Sequence, residues 1–139
     1  MSTASAASRH FAQSYVEARD KFLAATHAAG LDVQSHEHPL RGRDGEVLAM
    51  DVARFGAADA SAMLLISSAC HGVEGYCGSG VQHALLGDPA WHAQAQEAGI
   101  ALLYVHGLNP LRLFLVAAHH ARERRPQPQL PGLRQTAAC

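Results

Sequence analysis

The sequence predicts an α/β fold, a mixed sheet with flanking helices, present in incomplete form. Three observations carry this reading. Two strand-like runs flank "GRDG" at 42–45, a turn signal that makes them an antiparallel hairpin. Two continuous apolar runs, "SAMLLISSACHG" and "IALLYVHGLNP", read as buried strands, the kind found in a sheet covered on both faces. The stretch between them reads as helical, and strand, helix, strand within about 45 residues is a βαβ unit with a parallel strand pair.

The elements follow in order. From about Ser8 to Ala29, the residues Phe11, Tyr15, Ala18, Phe22 and Ala25 recur at helical spacing, and Gly30 supplies a stop. In the second hairpin strand Val47, Ala49, Asp51 and Ala53 alternate with Leu48, Met50 and Val52. The helical stretch runs from about Ser79 to Ala98 and breaks near "GDPA". Val81, Ala84 and Leu85 share a face before the break, and Trp91 and Ala95 share one after it.

The bulk composition limits the function classes. A chain of 139 residues with 48% apolar and 17% charged residues is one ordinary globular domain. A net charge of −1 gives no field that would recruit nucleic acid or an anionic membrane. No run reaches the length of a membrane span, and no signal-peptide core opens the chain, which makes a cytoplasmic setting the expectation. Cys70, Cys77 and Cys139 form no paired spacing, so a disulfide framework is not expected. Cys70 and Cys77 read as small buried hydrophobes.

Chemistry concentrates where the first apolar run ends, at "SSACHGVEGYCGSG" (67–80). Ligands in open α/β sheets gather at the carboxyl ends of the strands. His71 and Glu74 stand at one such end, and His106 and Asn109 at the other. A catalytic zinc ion takes three protein ligands and an open position for water. An imidazole and a carboxylate three residues apart can both reach one ion from a turn, and the surrounding glycines leave room for a substrate. H-x-x-E is also a common string, and the alternative is an ordinary strand-to-helix turn. His106 reads either as a ligand or as a hydrogen-bonded histidine near the pocket. "GYCGSG" is neither a nucleophile elbow, since neither Cys77 nor Ser79 has glycine two places away on both sides, nor a phosphate-binding loop.

"ACHGVEGYCGSGVQ" followed by "LYVHGLNP" resembles the zinc-carboxypeptidase superfamily. The resemblance is to a bacterial branch carrying a domain of unknown function, related to carboxypeptidase A and to succinylglutamate desuccinylase/aspartoacylase. It covers about residues 8–110, which makes 1–110 the N-terminal part of a carboxypeptidase-like domain. It implies zinc as cofactor, with His71 and Glu74 as two of its ligands; His106 and Asn109, at the other strand end, are a weak candidate for a substrate pocket. In an intact relative it implies hydrolysis of an amide bond by zinc-activated water, on a small-molecule or peptide substrate. The superfamily's later elements have no matching position here: the second ligand His, the Asn-Arg pair that binds a carboxylate, the Arg that polarises the carbonyl, and the late Glu base. No catalytic residue is therefore assigned, and activity of this chain is not expected. The alternative reading is a non-enzymatic remnant, or a weak metal-binding α/β fragment.

After Pro110 the composition shifts to "LRLFLVAAHHARERRPQPQLPGL", rich in Arg, Pro and Gln. The expectation for 111–139 is a disordered, out-of-frame tail. Read one base later, the codons for this stretch can spell "YGFSWWRRTTHENVDLNRNFQDF", the kind of continuation the resemblance implies. The second base that the genetic code requires for each residue from Leu111 to Leu133 matches the first base required by the corresponding shifted codon. The expectation that fits is a one-base insertion near the Pro110 codon. It makes His119, His120, Arg122, Arg124 and Arg125 products of the shifted frame rather than ligands or a basic patch.

Overall fold

The computed structural model describes residues 7–115. Its elements in chain order are α1 (Tyr15–Ala28), β1 (Val33–Arg41), β2 (Val47–Phe55), β3 (Ala62–Ser67), α2 (Gly75–Leu86), α3 (Pro89–Glu97) and β4 (Ile100–His106). A final helical turn occupies 110–115.

Helix α1 starts seven positions later than the apolar spacing alone suggests. Ser14 is its N-cap, with its hydroxyl accepting the Glu17 N–H at 3.2 Å. Glu17 reaches back to accept the Gln13 N–H at 2.9 Å. This reciprocal arrangement is close to a capping box and is written in "SYVE", a signal the periodicity outvoted. The helix stops at Gly30, where φ is +69°. Gly30 N–H donates to the His27 carbonyl and Leu31 N–H to the Thr26 carbonyl, the paired bonds of a Schellman close.

The hairpin forms as expected. β1 and β2 pair antiparallel from Val33↔Ala53 to Arg41↔Val47, with a register irregularity between Glu37 and Arg41. Pro39 falls inside that interval and has no N–H to give the ladder, which an edge strand tolerates. The helical stretch divides where "GDPA" predicts. Asp88 accepts from the Ala90 and Trp91 N–H groups, and Pro89 occupies the first turn of α3.

The sheet order is β1-β2-β4-β3, with β2 antiparallel and β3 parallel to β4. This is the mixed α/β sheet with flanking helices that the sequence calls for. Cross-strand partners share a face, so Ala53, Leu102 and Tyr104 point the same way. Phe22 of α1, Leu86 of α2 and Ala95 of α3 pack onto that face to form the main core. Tyr15 fastens α1 to β2, with its hydroxyl accepting the Ala49 N–H at 2.8 Å.

Two expectations are corrected. β3 is not covered on both faces. It is an edge strand among the described residues, and Met63 and Leu65 are 53% and 57% exposed. A continuous apolar run reports burial in a finished sheet, but does not distinguish a central strand from an edge. β4, between β2 and β3, is buried as the pattern predicts. The second correction concerns residues 111–115, assigned to the tail. They are helical, Leu113 is fully buried, and Leu111 and Phe114 pack beside Tyr15 and Leu48. Asn109 caps this turn, accepting the Arg112 N–H at 3.1 Å, and Pro110 suits its first position. The rest of the predicted tail, with His119, His120 and the arginines, lies outside the described residues. No helix among the described residues is long and apolar enough to cross a membrane.

An unpaired apolar edge is a template for another strand. The chain is expected to self-associate in sedimentation velocity runs at micromolar concentration, and the double substitution Met63→Lys, Leu65→Lys to shift it toward monomer. A wild type that sediments as monomer at every concentration would refute the exposed edge.

Candidate functional site at the carboxyl ends of β3 and β4

The two parallel strands flare into loops at the same end of the sheet, and backbone hydrogen bonds keep those loops together. Ser68 N–H donates to the Val105 carbonyl at 3.0 Å, Leu108 N–H to Ser68 at 3.0 Å, and Asn109 N–H to Ala69 at 2.9 Å. The ladder thus continues past both strands, and it brings the loop that carries His71 and Glu74 beside Asn109. Ala69, at the point of departure, has φ +60°, a left-handed conformation that costs an L-residue about 1–2 kcal/mol. Burial of its methyl among Tyr15, Leu48 and Leu113 helps hold it there.

The chain then turns tightly. Gly75 N–H donates to the Gly72 carbonyl at 2.8 Å and Tyr76 N–H to Val73 at 3.1 Å. α2 begins here, earlier than the sequence suggests, so Glu74 stands at its N-cap with φ −60°. The Glu74 carboxylate makes no capping hydrogen bond. His71 and Glu74 are both exposed, and neither side chain is engaged by another described residue. A carboxylate at a helix start is favourably placed in the helix dipole. The loop therefore presents one imidazole and one carboxylate, three residues apart, both free to bind.

Those two donors suit a zinc ion by type. They do not complete a cage: among the described residues no group of three or more His, Cys, Asp and Glu side chains is arranged to hold a metal. His106 supplies no third donor to the loop. Its ring is fully buried, stacked on Phe22 at a centroid distance of 4.7 Å, and its Nε2 lies 2.9 Å from Ser79 Oγ. Burial lowers its pKa to about 4, helped by Arg19 and opposed by Asp51. His106 is the hydrogen-bonded histidine of the two sequence alternatives, closed off from solvent under α2. Asn109 is half-buried, with its side-chain oxygen committed to the cap.

Ser79, His106 and Asp51 invite comparison with a nucleophilic triad, and the geometry rejects it. Ser79 is buried within a helix, and His106 Nδ1 has no partner among the described residues. Asp51 is held by Arg19 through Nε at 2.7 Å and Nη2 at 3.0 Å, and it accepts the Ser35 hydroxyl. The cluster compensates a buried carboxylate with a bidentate guanidinium, the arrangement that makes such burial tolerable.

Cys70 and Cys77 are exposed free thiols, not buried hydrophobes. One lies on the loop and the other on the outer side of α2, positions that the apolar context of the sequence does not reveal. Sequence reasoning also missed the groups that hold the site together. Gly75 is one. A Cβ there would stand 2.7 Å from the Ala69 Cα and 2.9 Å from Leu113 Cδ1. Gln82 is another: fully buried, it hydrogen-bonds to both strand ends. A glutamine on an otherwise apolar helix face is the signal that could have found it.

A family profile described as "Protein of unknown function (DUF2817)" matches residues 11–114. No curated protein matches the chain. Among solved structures, a glutaminyl cyclase from Fimbriiglobus ruber is 14% identical, with 73% of this chain and 41% of that one covered and a TM-score of 0.44. A glutaminyl cyclase from Porphyromonas gingivalis is 15% identical, with 84% and 48% covered and a TM-score of 0.42. The esterase LipW from Mycobacterium marinum is 17% identical, with 64% and 25% covered and a TM-score of 0.32. The chain spans less than half the length of each.

Two measurements check this geometry. Gly75→Ala should lower unfolding stability by about 1–3 kcal/mol in urea titrations, because backbone must move to admit the methyl. An unchanged midpoint would refute the close approach. The second concerns pH. The imidazole of His106 binds a proton less readily when folded, at about 4, than at its ordinary 6.5, so the unfolded chain takes up more protons between those values. Its contribution is complete above pH 6.5 and is lost as pH falls toward 4, roughly 3 kcal/mol in all. His106→Gln should flatten the stability curve across that window. A slope identical to wild type would show that the ring titrates normally.

Proposed function

The chain belongs to the DUF2817 family of proteins of unknown function, and on that premise we propose that it carries two protein ligands of a zinc site, His71 and Glu74. The observation that carries this reading is their shared placement: both side chains are exposed and unengaged on one tight turn at the carboxyl end of a parallel strand. The likeness of the surrounding motifs to the zinc carboxypeptidases supports zinc as the ion and amide hydrolysis as the chemistry of an intact relative. When bound in such a site, zinc polarises a carbonyl and lowers the pKa of a water.

This chain's own residues would hold the ion from one side. His71 would give a neutral ring nitrogen and Glu74 a carboxylate oxygen. The third ligand and a general base must come from outside the described residues. In this reading a one-base shift near the Pro110 codon removed them, and sequencing the DNA across codons 108–114 tests it. Codons incompatible with the shifted frame would end that explanation. Held from one side by His71 and Glu74 alone, a metal ion would bind weakly.

Zinc stoichiometry of the purified chain is the direct test. The expected result is one zinc per chain, bound more weakly than in a three-ligand site, and lost in His71→Ala and in Glu74→Ala. Zinc retained by both variants, or no zinc bound by the wild type, would overturn the assignment.

A further inference from the structure

The zinc reading requires that His71, which hangs from the strand side of the turn, and Glu74, which opens the helix, keep a fixed relation. Backbone hydrogen bonds close the turn, from Gly75 N–H to Gly72 and Tyr76 N–H to Val73, but neither side chain is engaged by a described residue. Their relation is set by how α2 sits on the ends of β3 and β4. We infer that Gln82 is the positioning residue for this site, a clamp on α2 that fixes the helix against both strand ends and thereby sets where Glu74 stands relative to His71.

The clamp is fully bonded. Gln82 Nε2 donates to the Ile66 carbonyl at 2.7 Å and to the Val105 carbonyl at 3.1 Å. Its Oε1 accepts from Ser68 Oγ at 2.9 Å. Ser68 Oγ in turn takes the Gly107 N–H at 3.4 Å. One side chain thus spans the last turns of both parallel strands and the first residue of the loop that leads to His71. Both amide hydrogens are used, and Gln82 is fully buried, so each bond is made in a low-dielectric setting where loss of a partner is costly.

The rest of the helix face fits this role. Gly75 and Gly78 lie seven and four residues before Gln82, on the same side of α2. A Cβ on Gly78 would meet Ser68 Cβ at 3.0 Å, as one on Gly75 would meet Ala69. Two glycines let the helix backbone lie against residues 68–69, and the glutamine then fixes its register along them. Glu74 is about 12 Å up the helix axis from Gln82. Over that length the helix is rigid, so a slip or roll at the clamp is carried to the carboxylate undiminished. Leu and Met would fill the same volume. A buried amide that bonds to two neighbouring strand ends makes sense where register itself matters.

This inference rests on the zinc assignment, and the test separates the two. Zinc affinity is measured by competition with a chromophoric chelator for the full chain, Gln82→Met, Ser68→Ala, Leu86→Ala and His71→Ala. Leu86 is buried at the far end of the same helix and controls for lost stability. Amide exchange of residues 69–75 and 107–109 is followed in the metal-free chain. Gln82→Met should weaken zinc binding about tenfold, the low end of what an outer supporting group contributes. Ser68→Ala should weaken it less, and Leu86→Ala should leave it unchanged. Exchange in both loops should quicken in Gln82→Met and not in Leu86→Ala. Unchanged affinity in Gln82→Met, or equal weakening in Leu86→Ala, overturns the role. If the wild type binds no zinc, the metal assignment fails, and exchange rates that Gln82→Met leaves untouched would overturn the clamp as well.

Discussion

The close approach of α2 to the carboxyl ends of β3 and β4 is the constraint on which the rest of the molecule depends. It can exist only because Gly75 has no side chain: the space a Cβ would need is filled by Ala69 and Leu113. Everything at that end of the sheet follows. The ladder runs on past the strands, Ala69 is held left-handed, Glu74 opens the helix, and the turn carrying His71 and Glu74 faces solvent. Moving the helix outward by a methyl's width would break this set of contacts together, because each uses the same short segment as a partner.

Behind that contact lies a buried polar layer. Ser79, Gln82 and Ser68 join α2 to the strand ends, His106 caps the layer from β4, and Asp51 with Arg19 closes it from β2 and α1. Such a layer is costly unless satisfied, and here it nearly is. The exception within this layer is His106 Nδ1, whose burial without a partner goes with the ring's reluctance to take a proton. The layer gives the helix a single register on the sheet, a specificity that apolar packing alone supplies less sharply.

The opposite side of the sheet is built differently. β3 leaves its edge uncovered among the described residues, with Met63, Leu64 and Leu65 exposed. The family match ends at residue 114, close to the last described helical turn. The helices pack on one face of the sheet, and the apolar edge of β3 stays open among the described residues.

The sequence by itself determined the local and the adjacent. Turn chemistry at "GRDG" and "GDPA", apolar periodicity in α1 and α3, and the βαβ order gave the hairpin, the helix break and the parallel pair. These are set by contacts between near neighbours, which a linear pattern records. The sequence also pointed to His71 and Glu74, because strand end, imidazole and carboxylate stand within a few residues of one another. The start of α1 was legible too, in "SYVE", where a side-chain cap overrides spacing. Only the tertiary structure decided that β3 is an edge, that His106 is sealed under α2 rather than open at a pocket, and that Cys70 and Cys77 face solvent. It alone revealed Gln82 as a link between two strands, and 111–115 as part of the fold. Each of these depends on what lies across a gap of many residues, and burial is a property of the surroundings, not of the residue that is buried.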